Sequence, residues 1–227
     1  MKLSQLADVL QKFSGADLTD TLSKIEGSVR GLTLESCNTF LAGAGATGDV
    51  LSAAASMKRL AGQINVAIHA TGILLCLPHI LEEGEIVEYV SLGAGNTGRA
   101  FDLETNKRVA EFKFITWRGG PESIRQNSIF KDFYLLAESG SSKQKYLYVL
   151  DTHHPLKFFK GGRALDSVLS RNVALKKHFQ ERFGVQFRTV RDYFEAHKDA
   201  LVIADVSQWV PELIADEQDG GDLDQTA

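Results

Sequence analysis

Residues 101–114 read FDLETNKRVAEFKF, and this stretch decides how the middle of the chain folds. Glu111 and Lys113 are two positions apart, so on a β-strand both side chains leave from the same face. Phe112 and Phe114 then occupy the opposite face, where they would be buried. This alternation predicts a strand with one charged face and one apolar face.

Two segments before this strand complete a small antiparallel unit. Residues 86–92 (IVEYVSL) alternate and are rich in β-branched side chains, and residues 100–103 and 108–115 follow a similar pattern. The short polar run at residues 104–107 supplies a tight turn between the last two segments. We therefore expect a meander of three antiparallel strands.

Asp102 lies on the second predicted strand, next to the charged face of the third. If Thr105 and Asn106 form the turn, the register of the two strands is fixed. Asp102 then faces Val109, and Glu111 is its diagonal neighbour on the same face, about 7–8 Å away. Two carboxylates at this separation can share one divalent metal ion.

Two carboxylates beside a lysine suit the hydrolysis of phosphodiester bonds. Mg²⁺ prefers oxygen ligands and is usually held by one or two carboxylates together with water and substrate phosphate. A Mg²⁺ or Mn²⁺ ion at Asp102 and Glu111 would orient and acidify a water molecule. Lys113 would either steer this water with a lowered pKa or stay charged and stabilise the phosphorane. These three residues are the predicted catalytic group.

The segments around the meander predict helices and one more strand. Apolar residues recur at helical spacing in residues 3–13, 18–25, 50–81, 123–137, 164–183 and 190–197. Residues 145–150 (KYLYVL) read as a fourth strand. This order predicts the α/β class, with a mixed central sheet flanked by helices. We expect a helical N-terminal region at residues 1–48, a sheet-containing domain at 49–210 and a disordered acidic tail at 211–227.

Asp102, followed after eight residues by Glu111 and then Lys113, resembles the signature of the PD-(D/E)XK, or restriction-endonuclease-like, nuclease superfamily. The predicted elements agree: a helix, three strands with the aspartate on the second and Glu-x-Lys on the third, then a helix and a strand. The resemblance covers roughly residues 57–150. It implies a restriction-endonuclease-like core and a Mg²⁺-dependent endo- or exonuclease. Phe101 stands where the family has a proline.

RecB-like members of this superfamily carry Gln-x-x-x-Tyr on the helix after the third strand. Gln126 opens that helix here, but Phe130 stands where the tyrosine would be. The resemblance implies that Arg125 and Gln126 touch substrate phosphate, unless they are solvated residues of an amphipathic helix. It also points to His69 as a metal ligand from an upstream helix, with a hydrogen-bonded core histidine as the alternative. Two upstream acids compete with His69 for this role, Glu82 and Glu83.

Charge is distributed unevenly along the chain. The formal net charge is −4, but residues 143–191 hold eleven Lys and Arg against three acids, a balance of 11 − 3 = +8. Such a segment predicts an anionic partner, since the local field matters more than the net charge. Nucleic acid is the expected partner, with DNA favoured; a solvated helical face is the alternative. The candidate phosphate contacts are Arg118, which follows the Glu-x-Lys strand, and Lys157, Lys160, Arg163, Lys176 and Lys177.

Composition excludes several classes of protein. With 44% hydrophobic and 24% charged residues among 227, the chain is neither wholly disordered nor a coiled-coil rod. Two cysteines, Cys37 and Cys76, are too few for a disulfide framework, which favours a reducing, cytoplasmic compartment. Polar residues interrupt the most apolar stretch, residues 61–81, so we interpret it as a buried helix of a soluble protein without membrane contact.

Two other functions remain open from the sequence. One is a catalytically inactive module on the same fold, which binds nucleic acid or protein while its acids pair structurally with Lys113. The other is a dinucleotide site at GAGATG, residues 43–48, which requires a strand before the glycines and an acid about 20 residues after them. Residues 64–78 contain no acid, which disfavours this site. A homodimer formed through the N-terminal helices would supply two sites for cutting both strands.

Overall fold

The computed structural model describes residues 2–29, 31–93, 101–117 and 122–214. Contacts divide the chain into two compact units, Met1–Asn65 and Val66–Ala227. This division falls within a long helix, whereas the boundary expected from the sequence is at residue 48. The prediction of a disordered acidic tail, apart from its first four residues, lies outside the described residues.

The first unit is helical, as predicted. It contains α1 (Leu3–Ser14), α2 (Leu18–Val29), α3 (Leu34–Gly43) and the beginning of α4 (Gly48–Ile80). The glycines at residues 43–48 therefore follow a helix, and a dinucleotide fingerprint requires a strand at that place. The dinucleotide hypothesis is wrong for this reason.

Helix α4 is present where a helix was predicted, but most of it is not buried as predicted. Ile73, Cys76 and Ile80 are buried, whereas Leu74 and Leu75 are about half exposed. Within the described residues, α4 is the one helix long and apolar enough to cross a membrane by length and composition. Only 17% of its most apolar window is buried. The expectation of a buried helix therefore holds for its last turns and for Ala53 near its beginning, and not for the helix as a whole.

The second unit is built on a five-stranded mixed sheet with the strand order β1-β2-β3-β4-β5. The strands are β1 (Val87–Val90), β2 (Leu103–Thr105), β3 (Arg108–Lys113), β4 (Gln144–Val149) and β5 (Val202–Asp205). The first three form the predicted antiparallel meander, and β4 and β5 extend it in parallel. β5 was not predicted, because four residues are too few to show an alternating pattern.

Helices cover both faces of this sheet. They are α5 (Ser123–Ala137), α6 (His153–Phe159), α7 (Leu165–Leu169), α8 (Val173–Phe183) and α9 (Val190–His197) in addition to the end of α4. Val109 of β3 belongs to the core formed with α5 to α9, while Ala110 and Phe112 belong to the core formed with α4. Strand alternation thus separates two cores, and the chain is a mixed α/β protein as predicted.

Candidate functional site

The register between β2 and β3 differs from the prediction by two residues. Only two residues lie between these strands, and Leu103 pairs with Ala110. Continued by one residue, this register sets Asp102 opposite Glu111, not opposite Val109 as predicted. Asp102 immediately precedes β2 and is not part of the strand. The error arose from placing the turn one residue too early, and the true register brings the two carboxylates closer together.

Asp102 is held in place from two sides. The Phe112 backbone N–H donates a hydrogen bond to Asp102 Oδ2 at 3.0 Å. His69 on α4 places its Nε2 atom 3.4 Å from Asp102 Oδ1. The hydrogen bond to Asp102 is the main reason that the pKa of His69 is raised, and burial opposes it. His69 therefore lies beside the predicted site, where the resemblance placed an upstream histidine.

The competing upstream acids lie at the other end of β3. Glu82 Oε1 is 3.3 Å from Arg108 Nη2, in an ion pair with the first residue of that strand. The Glu83 carbonyl oxygen accepts a hydrogen bond from Lys107 Nζ at 2.8 Å. Of the three upstream candidates, His69 is the one whose contact to the predicted site is observed.

Lys113 connects the predicted pair to a residue that the sequence did not reveal. Lys113 Nζ is 3.2 Å from Glu111 Oε1 and 3.0 Å from Asp132 Oδ2. Asp132 lies on α5 and is 6% exposed. It follows Ile129 by three positions and precedes Leu136 by four, both of them buried. An acid on the apolar side of a helix was therefore the signal that would have revealed it. We call Asp102, Glu111, Lys113 and Asp132 the acidic cluster.

Negative charge exceeds positive charge in the acidic cluster. Three carboxylates face one ammonium group, a formal balance of 1 − 3 = −2 when all are ionised. Burial is the main reason, and the nearby Asp132 the second, that the pKa of Glu111 is raised to about 7. Burial likewise raises the pKa of Asp132. The buried acids are thus short of compensating charge.

Lys113 stays protonated in this arrangement. Burial acts to lower its pKa, but Asp132 and Glu111 outweigh this effect and the net shift is upward. Of the two roles considered for the lysine, the charged donor therefore agrees with its surroundings, while a lysine of lowered pKa does not.

Asp102 and Glu111 are the candidate metal ligands. Within the described part of the chain, no group of three or more His, Cys, Asp or Glu side chains is arranged to hold an ion. Mg²⁺ does not require such a group, because one or two carboxylates suffice when water and phosphate supply the other oxygens. Two partly buried carboxylates with a shortage of positive charge nearby meet this smaller requirement.

Arg125 and Trp117 lie beside the acidic cluster. Together with Lys113, they line a small cavity of about 30 Å³. Arg125 Nη1 also forms an ion pair with Glu122 Oε2 at 2.5 Å. Arg118, predicted to contact nucleic acid, lies outside the described residues.

Three of the other predicted nucleic-acid contacts meet in a larger cavity. Gln126, Lys157 and Arg163 line a cavity of about 310 Å³, to which Trp117 also contributes. Lys160 is not part of this lining; its carbonyl oxygen accepts a hydrogen bond from Arg191 Nε at 2.7 Å. The structure therefore brings together three of these predicted residues. Lys160, Lys176 and Lys177 lie outside the lining, and the last two form ion pairs with Asp166 and Glu181.

Comparison with known proteins gives no relative for this site. The chain matches no protein-family model, no curated protein and no solved structure. What the acidic cluster can do therefore follows from its own geometry and charge.

Proposed function

We propose that the chain is a metal-dependent nuclease that hydrolyses phosphodiester bonds of nucleic acid, with DNA favoured. This proposal depends on one observation: Asp102, Glu111 and Lys113 lie together where β2 begins and β3 ends, and acidic groups outnumber basic ones there. An acid excess attracts a hard cation, and a cation beside a lysine attracts phosphate.

The topology supports a restriction-endonuclease-like core. The resemblance implies a helix, an antiparallel meander of three strands, a helix and a further strand. Helix α4, strands β1 to β3, helix α5 and strand β4 follow one another in this order. Glu111 and Lys113 lie on the third strand, and Asp102 lies directly before the second.

Each residue of the acidic cluster then has a distinct task. Asp102 and Glu111 would hold Mg²⁺ or Mn²⁺, which when bound supplies an acidified water and compensates phosphate charge. Lys113 donates hydrogen bonds to the phosphate oxygen on which charge develops. Asp132 holds the lysine ammonium group in position through its ion pair. His69 orients Asp102, or adds a nitrogen ligand to the ion.

Cleavage assays on purified protein test this function. In Mg²⁺ or Mn²⁺, the chain should cut DNA or RNA, and Asp102→Asn or Glu111→Gln should lower the rate by about 10³-fold. Glu104→Gln is the matched control, because Glu104 lies on the same hairpin but pairs with Lys143. A circular substrate distinguishes an endonuclease, which cuts it, from an exonuclease, which does not.

Metal titration supplies a second measurement that is independent of activity. Calorimetry should detect a Mg²⁺ site in the wild type that is lost in Glu111→Gln. Thermal unfolding should show that both variants are folded. A wild type that binds no Mg²⁺ and cuts no nucleic acid would contradict the proposal.

A catalytically inactive binding module is the second candidate. It is favoured by one contact pattern: Lys113 is already paired with two carboxylates, as in a purely structural ion pair. In this case nucleic acid or protein binds, for example at the cavity lined by Gln126, Lys157 and Arg163, without Mg²⁺-dependent cleavage. A cytoplasmic location and a homodimer are part of the nuclease proposal.

A further inference from the structure

Five cationic side chains gather where two segments of the second unit run side by side. The segments are residues 157–163, around the end of α6, and residues 188–191, around the start of α9. The Val190 N–H donates a hydrogen bond to the Arg163 carbonyl oxygen at 2.9 Å. Arg191 Nε donates to the Lys160 carbonyl oxygen at 2.7 Å. We call the cations of these two segments the basic patch: Lys157, Lys160, Arg163, Arg188 and Arg191.

The cations of the basic patch have no carboxylate partners in the described part of the chain. Two acids lie close by in the sequence, but each is engaged elsewhere. Asp192 accepts hydrogen bonds from the backbone N–H groups of Arg188 and Thr189 at 3.0 and 2.9 Å. Glu195 forms an ion pair with Lys198 at 2.8 Å. By contrast, several other cations of the basic stretch 143–191 are in ion pairs: Lys143, Lys176, Lys177 and Arg182.

Packing does not account for the basic patch. Residues 157–163 and 188–195 hold five cations against two acids, a balance of 5 − 2 = +3, and like charges brought together repel one another. Arg191 lies in the first turn of α9, where the helix dipole favours acids over cations. Four of the five side chains are exposed, and Arg163 is partly exposed. Accessible cations without compensating charge indicate an anionic partner.

The basic patch extends to the neighbourhood of the acidic cluster. Lys157 and Arg163 line the cavity of about 310 Å³, and no acid is among its described lining residues. Trp117 lines both this cavity and the small cavity that Lys113 lines. One side chain thus separates the basic patch from the cavity beside Lys113. A partner with negative charges repeated along its length can therefore contact both places at once.

We propose that the basic patch binds the phosphate backbone of the nucleic-acid substrate beside the acidic cluster. Arg188 and Arg191 are then phosphate contacts that sequence reasoning did not identify, whereas Lys176 and Lys177 are paired with acids instead. This inference rests on the proposed nuclease function, and it specifies how the substrate is recognised. Ammonium and guanidinium groups that contact phosphate carry no sequence information. Binding through the basic patch is therefore independent of base sequence.

Binding in the absence of metal tests the basic patch without relying on cleavage. The measurement is fluorescence anisotropy of a labelled DNA duplex in EDTA at several salt concentrations. Arg188→Gln should weaken binding by about 5- to 10-fold and lower the salt slope by about 0.9, the effect of losing one phosphate contact. Arg188→Lys should retain the slope, because it keeps the charge. Lys177→Gln is the matched control, since Lys177 is also exposed but is paired with Glu181, and it should bind like the wild type.

Two further probes define the partner of the basic patch. Duplexes of equal length and different sequence should bind the wild type with equal affinity, and Arg188→Gln should weaken both by the same factor. Vesicles that contain phosphatidylserine present anionic charge on a membrane surface instead. Tighter binding to these vesicles than to the duplex would assign the basic patch to a membrane and overturn the inference.

The outcomes separate the basic patch from the nuclease proposal. Equal losses of affinity in Arg188→Gln and Lys177→Gln would reduce the basic patch to general surface charge and overturn the inference. A wild type that does not bind the duplex would also overturn it. A wild type that binds the duplex through Arg188 but never cuts nucleic acid keeps the basic patch and removes the nuclease. Cleavage in Mg²⁺ with unaltered binding in Arg188→Gln does the reverse.

Discussion

Strand β3 carries two charged clusters, one at each end and on opposite faces. At its beginning, the Arg108 guanidinium forms a two-pronged ion pair with Glu85, with Nε–Oε1 at 2.5 Å and Nη2–Oε2 at 2.6 Å. Its Nη1 donates to the Tyr148 hydroxyl at 2.8 Å. We call these three residues the arginine cluster. At the end of β3 lies the acidic cluster, with three carboxylates around Lys113.

The two clusters differ in how far their charges are compensated. In the arginine cluster, one cation meets one buried carboxylate in near-ideal geometry, and the pKa of Glu85 is lowered although burial opposes this. In the acidic cluster, burial raises the pKa of Glu111 to about 7. A balanced buried pair fixes structure, whereas an unbalanced one needs a further cation. The same strand thus separates a structural site from a candidate functional one.

We expect the largest effect from a substitution that breaks the arginine cluster. Arg108→Ala leaves the Glu85 carboxylate, whose side chain is 0% exposed, without its cation. The free energy of unfolding should fall by about 3–5 kcal/mol, the usual consequence of removing one partner of a buried pair. Lys107→Ala, at the exposed turn beside it, should change stability by less than about 0.5 kcal/mol. Urea denaturation measures both, and equal losses would mean that the Arg108 pair is no more structural than an exposed one.

Removing a negative charge from the acidic cluster should raise the free energy of unfolding, whereas removing the cation of the arginine cluster lowers it. A pKa of Glu111 raised from 4.5 to about 7 means that the folded chain binds more protons than the unfolded chain between these pH values. The free energy of unfolding in EDTA should therefore fall as pH rises from about 4.5 to 7, by up to roughly 3 kcal/mol. Glu111→Gln should reduce this slope and be the more stable protein at pH 8, while Asp132 and His69, whose pKa values are also raised, keep a part of it.

Chemical denaturation at several pH values, in EDTA throughout, measures this prediction. Added Mg²⁺ should stabilise the wild type at pH 8 and leave Glu111→Gln unaffected, because the bound ion compensates the ionised carboxylate. A wild type whose stability is level from pH 4.5 to 7 would show that the acidic cluster is as well compensated as the arginine cluster.

Local patterns were sufficient to predict several elements and the common face of Glu111 and Lys113. Helix α5 spans residues 123–137, as the spacing of its apolar residues indicated. The alternation in β3 placed Glu111 and Lys113 on one face, and their ion pair agrees with this. Both predictions depend on neighbours a few residues apart, where period and side-chain direction are fixed by the backbone.

Features set by distant contacts were missed. The register of Asp102 depended on which two residues form the turn, and an error of one residue in the turn shifted the pairing by two. The position of Asp132 on the apolar side of α5 marks it as unusual, but its contact with Lys113 depends on how α5 packs against β3, and no local pattern gives that. The exposure of most of α4 likewise could not be read from its apolar composition. Packing between elements, not propensity, decides these features.

A smaller effect concerns how α4 brings His69 to the acidic cluster. A Cβ atom at Gly72 would lie 2.7 Å from the Phe114 ring, so glycine allows α4 to approach the end of β3 closely. Gly72→Ala should cost about 1–3 kcal/mol through overpacking and move His69 away from Asp102, lowering its pKa. Gly62→Ala, on the same helix with open space around it, should instead stabilise by about 0.5–1 kcal/mol.

Histidine NMR titration and thermal unfolding together measure this pair of variants. The arginine cluster lies at the far end of β3, so it should contribute equally to the stability of Gly72→Ala and Gly62→Ala. If Gly72→Ala leaves the His69 titration unaltered, the close approach of α4 does not set the geometry of the acidic cluster.

The smallest predicted effect is that of Asp132→Asn. This variant tests whether Asp132 contributes to the function of the acidic cluster or only to its packing. Asp132→Asn keeps the shape of the side chain but removes a charge 3.0 Å from Lys113 Nζ. It also removes a repulsion that raises the pKa of Glu111, so Glu111 should ionise at lower pH. Mg²⁺ affinity at pH 8 should fall by about 10-fold, the effect of losing a residue that supports the ligands.

At pH 6 the two effects oppose each other, since Glu111 is ionised more fully in Asp132→Asn than in the wild type. The loss of Mg²⁺ affinity should therefore shrink between pH 8 and pH 6, which calorimetric titration at both pH values measures. Asp166→Asn, an exposed acid on α7, should leave both affinities unchanged. A purely structural Asp132 would lower affinity equally at the two pH values, and the acidic cluster would then resemble the arginine cluster at the other end of β3.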